Sequence, residues 1–173
     1  MKRKIFNMPN TISLLRIPLA FLVILFFQSP LRYLFFILGI FFDFLDGYLA
    51  RKLKQITKLG GIIDPLTDKV FALTIFLFGF ALLKLPSYYL LFFFLRDIFT
   101  VSAVLFLYLT KQYKKLEIKA RFFGKIVTLM QFTVLVFVVI GNLFWIKITI
   151  FLLLLAAVVS IVDYILYYTR KRK

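Results

Sequence analysis

The feature that most constrains this chain is the length of its apolar runs. Between Ile148 and Val162 there is no charged residue, and the run that holds this stretch continues from Leu143 to Tyr168 with only Lys147 and Asp163 interrupting it. About 20 predominantly apolar residues suffice for a helix to cross a bilayer. A segment that is apolar all round has no polar face to give to water. Hydrophobic residues make up 63% of the chain, with 24 Phe among them, more than one soluble domain of this size needs. The reading is an all-α integral membrane protein, organised as a single domain over residues 1–173.

Breaks at Pro, Gly, Asn and charged clusters divide the chain into six transmembrane helices. They are expected at approximately Asn10–Gln28, Leu31–Lys52, Gly61–Leu83, Ser87–Thr110, Arg121–Ile140 and Leu143–Tyr168. The opening KRKIFNM suits a short interfacial helix. A basic start followed by an apolar run also resembles a secretory signal. Arg16 and Pro18 interrupt that run, however, and QSPLRY lacks a small-x-small cleavage site, so the run is read as the first membrane helix.

Orientation follows from the cations. Lys2, Arg3, Lys4, Arg51, Lys52, Lys54 and Lys58 fall on one side, with Lys111, Lys114, Lys115, Lys119, Arg121, Lys125 and the tail from Arg170 to Lys173. The opposite side has Arg32, Lys84 and Lys147. The positive-inside rule then makes both termini cytoplasmic, in the inner membrane. The net charge of +16 is matched to anionic headgroups and not to nucleic acid, since no aromatic-interleaved basic patch accompanies it.

The chain has no Cys and no His. This excludes disulfides, thiolate zinc sites and cysteine nucleophiles, and it leaves proton transfer to Asp, Glu, Lys or Tyr. Against that background, four of the seven acidic residues lie in DFLDGYLARKLKQITKLGGIIDPLTD, from Asp43 to Asp68. One ionised side chain at mid-membrane costs roughly 2.5–3.5 kcal/mol on insertion scales, so four would cost on the order of 10 kcal/mol. Something must offset that.

Asp43 and Asp46 are spaced i, i+3 and share a helix face; Asp64 and Asp68, at i, i+4, share another. Both pairs sit near the cytoplasmic ends of consecutive helices, which are expected to be antiparallel neighbours. Four converging carboxylates need cations: Lys or Arg, or one or two hard divalent ions held by oxygen ligands, Mg²⁺ or Mn²⁺. Gly47 and Ala50 leave a notch on the Asp43 face. Gly60 and Gly61 offer free backbone N–H groups to an anion, and Arg51 stands at the rim. Together these suit a phosphorylated substrate. A cation path through the bilayer is the reading from another class. It would distribute polar residues across the membrane, whereas these cluster at one depth. A non-catalytic assembly protein gives no reason for the pattern.

Asp43-x-x-Asp46-Gly47-x-x-Ala50-Arg51, then Gly60-x-x-x-Asp64-x-x-x-Asp68, resembles the complete signature of the CDP-alcohol phosphotransferase family. The resemblance implies transfer of a phosphatidyl group from a CDP-linked lipid, CDP-diacylglycerol, to an acceptor alcohol, with CMP leaving. It implies Asp43, Asp46, Asp64 and Asp68 as metal ligands, Asp68 also as the base, and Gly47, Ala50, Arg51 and Gly60 at the CDP site. PNTISLLR resembles the family's opening segment, with Ser13 in place of the usual Thr. It leaves two readings open. Asn10 and Ser13 contact the nucleotide diphosphate, or Asn10 is a helix cap and Arg16 a snorkelling interface residue.

ITKLGGIIDPLTDK resembles a segment of the family's bacterial phosphatidylglycerophosphate synthases, with Ile63 and Thr67 departing from the usual Leu and Ala. That points to sn-glycerol 3-phosphate as acceptor. A basic set of Arg96, Arg121 and Lys125 would suit its phosphate, and Lys125, Thr128 and Gln131 form one polar stripe on the fifth helix. The plainer readings are a structural pair of Arg96 with Asp97 or Asp163, and positive-inside charge alone for Arg121 and Lys125. The same features resemble the family's cardiolipin synthases, whose acceptor is phosphatidylglycerol. Serine, inositol and inositol phosphate are weaker alternatives. The family resemblance also implies a homodimer.

Overall fold

The computed structural model describes residues 8–53, 60–110 and 122–170. Within them the chain forms six α-helices and no strand: α1 (Met8–Leu25), α2 (Leu31–Lys52), α3 (Gly60–Leu82), α4 (Tyr88–Leu109), α5 (Phe122–Ile140) and α6 (Leu143–Arg170). All six expected helices are present, with ends displaced by a few residues. Five of them, all but α3, are long and apolar enough to cross a membrane. The KRKIFNM piece up to Asn7, and Arg121, lie outside the described residues.

The helices gather into two compact units, residues 1–83 and 84–173. In the first, α1 packs along both α2 and α3, and α2 meets α3 more narrowly, through Phe36, Gly39 and Phe71. α2 and α3 are neighbours as expected, and α1 is the more extensive partner of both. Its buried Leu19, Ala20 and Val23 meet a core that includes Phe27, Phe36, Phe71 and Ile75. Phe36 and Phe71 stack with centroids 6.0 Å apart. Gly39, one turn beyond Phe36, leaves room for the Phe71 ring; a Cβ there would collide with Phe71 Cζ and Cε2. Small residues of this kind let membrane helices approach where apolar surface alone gives no preference.

The α1–α2 turn is closed by Arg32. Its Nη1 donates to the Phe27 carbonyl at 2.6 Å and its Nη2 to the Tyr33 hydroxyl at 2.6 Å, with the guanidinium lying over both rings. This cation serves a structural end in the turn.

In the second unit, α6 packs against both α4 and α5. Val134, Leu135, Val138, Ile146, Ile150 and Leu153 are buried there. The α5–α6 turn is made by Gly141 at φ +81°, where a side chain would be strained. Its N–H and that of Asn142 both donate to the Phe137 carbonyl, closing α5. Asn142 Oδ1 then accepts from the Trp145 N–H at 3.2 Å and caps α6. Many large apolar side chains point outward in both units. Phe44 is 73% exposed and Leu25 72%, which suits a lipid-facing surface and not an aqueous one.

Candidate active site

Three helices of the first unit carry the site. From α1, Asn10, Ser13 and Arg16 recur at i, i+3 and i+6 on one face, and all three are buried, at 3%, 0% and 1% exposure. Asn10 is not a cap, because α1 already runs from Met8. Arg16 does not snorkel, because its guanidinium is turned inward. Both departures have one cause: this polar face of α1 is directed at the carboxylates of α2 and α3.

The contacts are specific. Arg16 Nη1 lies 2.9 Å from Asp43 Oδ1 and also pairs with Asp68 Oδ1, while Nη2 pairs with Asp46 Oδ2. Ser13 Oγ lies 2.6 Å from Asp46 Oδ2, 2.8 Å from Asp64 Oδ1 and 3.1 Å from the Pro9 carbonyl. The helical spacing on α2 and α3 thus does what the sequence requires: all four carboxylates turn toward one small volume. Asp46 is the buried member, while Asp43 and Asp68 keep 40% and 32% of their side chains exposed.

Two observations bear on whether this donor set fits a metal ion. Ser13 has one hydroxyl proton and faces three acceptors. Among the four aspartates and Arg16, four negative charges meet one positive charge. Hard oxygen ligands with a cation deficit are what Mg²⁺ or Mn²⁺ takes. Among the described residues no three of these side chains already stand around a common ion position. Their oxygen atoms are gathered on Arg16 and Ser13 instead. The chemistry of the set fits a divalent ion, and the centre it would take is shared with a guanidinium.

Around this cluster, Gly47 has open space where a Cβ would be, in keeping with a notch. Ala50 is half-buried, Arg51 is exposed in the last turn of α2, and Gly60 is buried at the start of α3. Thr67 is buried and donates to the Asp64 carbonyl at 3.0 Å. Arg16 is the residue the sequence reading missed. The signal was its i+3 spacing from Ser13.

The second unit holds a separate polar set. Gln131 Nε2 donates to the Phe93 carbonyl and to Asp97 Oδ2, both at 2.9 Å. Arg96 Nη1 stands 4.0 Å from Asp97 Oδ1, at the outer limit of an ion pair. Its guanidinium lies against Gly124, where any Cβ would press on Nη2. Lys125 and Thr128 are exposed, so the proposed stripe divides: Gln131 is buried and ties α5 to α4, and the other two are on the surface.

The CDP-alcohol phosphatidyltransferase family matches residues 6–162. A CDP-diacylglycerol–glycerol-3-phosphate 3-phosphatidyltransferase of Aquifex aeolicus is 37% identical over 166 residues, covering 92% of this chain and 89% of the relative. Proteins of the same name from Haemophilus influenzae and Pseudomonas fluorescens are each 40% identical over shorter segments. Those segments cover 38% and 37% of this chain, and 38% and 36% of the relatives. With the signature intact, its carboxylates brought together and the match running nearly end to end, the chain belongs to the CDP-alcohol phosphatidyltransferase family.

Proposed function

We propose that this protein transfers the phosphatidyl group of CDP-diacylglycerol to sn-glycerol 3-phosphate, giving phosphatidylglycerophosphate and CMP. The observation that carries it is the convergence of Asp43, Asp46, Asp64 and Asp68 beside α1. The Aquifex relative, similar over nearly its full length, bears the name of this reaction.

In this reading the acceptor hydroxyl attacks the β-phosphorus, its P–O bond forms as the bond to CMP breaks, and the hydroxyl proton passes to a carboxylate. Asp68 is assigned that role. Its side chain is partly exposed and so accessible to substrate, and the chain has no His to compete for it. Asp43, Asp46, Asp64 and Asp68 would hold one or two Mg²⁺ or Mn²⁺ ions, which supply charge neutralisation at the diphosphate and at the leaving phosphate. Gly47, Ala50, Arg51 and Gly60, with Asn10 and Ser13, are assigned to CDP. Gly47 leaves space, and Arg51 offers a paired hydrogen-bond donor to phosphate. Arg96, Arg121 and Lys125 are assigned to the acceptor's phosphate.

We further place all six helices across the inner membrane, with both termini and the active site cytoplasmic, on the asymmetry of Lys and Arg. A homodimer completes the proposal. The chain has no Cys, so single cysteines at Lys2, Pro86 and Lys173 would report sidedness by membrane-impermeant labelling. The decisive assay gives purified protein CDP-diacylglycerol with either glycerol 3-phosphate or phosphatidylglycerol and measures CMP. Release with the first supports the proposal. Release with phosphatidylglycerol alone replaces the acceptor.

A further inference from the structure

Arg16 is an unusual residue to find fully enclosed. It is among the largest buried side chains of the protein, and its guanidinium reaches three of the four signature aspartates. Yet its hydrogen bonding is incomplete: Nε, buried, has no hydrogen-bond partner among the described residues. The guanidinium is therefore held by charge more than by a full set of donors and acceptors. It takes oxygen atoms from Asp43, Asp46 and Asp68, which the proposed function gives to the divalent ion.

We propose that Arg16 is the resident counter-cation of this cluster in the ion-free protein, and that a divalent ion and the guanidinium compete for the same carboxylate oxygens. Loading the ion releases Arg16. This inference rests on the reading of the four aspartates as ion ligands. Its physical basis is the cost of leaving such carboxylates unpaired in a low-dielectric setting. Without a cation, mutual repulsion of the carboxylates would push α2 and α3 apart. One guanidinium suffices to hold them together but not to neutralise them, so a divalent ion still gains by entering. Guanidinium and metal cannot occupy one position, and two cations at such range repel strongly.

The test uses the wild-type protein in detergent. Mn²⁺ binding is followed by electron paramagnetic resonance, and Arg16 exposure by phenylglyoxal labelling with peptide mapping, in EDTA and at saturating Mn²⁺. Arg16 should resist labelling in EDTA, and its labelling rate should rise at least about tenfold with Mn²⁺, as a fully enclosed group becomes accessible. Saturable Mn²⁺ binding with no change at Arg16 overturns this inference and leaves the ion site standing. Absence of Mn²⁺ binding overturns both.

Arg16→Gln and Arg16→Lys give a second readout. Removing the competing charge should tighten Mn²⁺ binding by about tenfold or more in Arg16→Gln, with Arg16→Lys near wild type. Arg16→Gln should also lose thermal stability in EDTA and regain it with Mn²⁺. Weaker Mn²⁺ binding in Arg16→Gln would mean that Arg16 supports the ion, and would reverse the assignment.

Discussion

Gly39→Ala is the most searching test of how the first unit is assembled. A Cβ at this position would lie well inside van der Waals contact of the Phe71 ring. The ring has nowhere cheap to go: Phe71 is 1% exposed and stacks on Phe36. Overpacking of an enclosed site costs about 1–3 kcal/mol. For a chain of this size each kcal/mol lowers the melting temperature by about 2–4 °C, so the expected fall is about 2–12 °C. The measurement is retention of monodisperse protein by size exclusion after heating in detergent at a fixed rate.

Activity should fall with stability, because Phe71 lies one turn beyond Asp68 on α3 and Gly39 one turn before Asp43 on α2. The double variant Gly39→Ala/Phe71→Leu should recover part of the loss, since the smaller side chain frees the space that the methyl takes. A Gly39→Ala protein as stable as wild type, or a double variant no better than the sum of its parts, would refute the contact.

Three further outcomes are expected. Asp68→Asn should abolish CMP release while CDP-diacylglycerol still binds, checked by turnover and by retention of labelled lipid; near-normal turnover removes Asp68 as base. Chelation by excess EDTA should stop CMP release and added Mg²⁺ or Mn²⁺ should restore it, because one guanidinium does not neutralise four carboxylates. Gly124→Ala should raise KM for glycerol 3-phosphate several-fold with little change for CDP-diacylglycerol, since the added methyl displaces Arg96; equal changes in both would show general damage.

Much of this was legible before any fold. The i, i+3 spacing of Asp43 and Asp46 and the i, i+4 spacing of Asp64 and Asp68 place each pair on one helix face, and the structure brings both pairs to one place. Gly47 as an open notch was also legible, because a missing side chain shows in the letter itself. Arg16 was misjudged because an Arg near a membrane helix end ordinarily reaches for water. Only a partner of opposite charge reverses that, and the partners lie 27 or more positions away in the chain. Thr67 and Gln131 met the same limit: each looked like a mild departure or a member of a polar stripe, and each is buried with a defined acceptor.

By itself the sequence determined the solvent, the number of helices and the chemistry available. Apolar length selects a bilayer, and a chain without His or Cys leaves proton transfer to Asp, Glu, Lys or Tyr. Which helix stands between which others was decided only in three dimensions. In lipid all apolar faces are nearly equivalent, so hydropathy does not say which surfaces meet; close packing and polar contacts do. Here Gly39 admits Phe71, and α1 turns Ser13 and Arg16 toward the aspartates of α2 and α3, so the cluster is held together by a helix that carries none of the acidic groups.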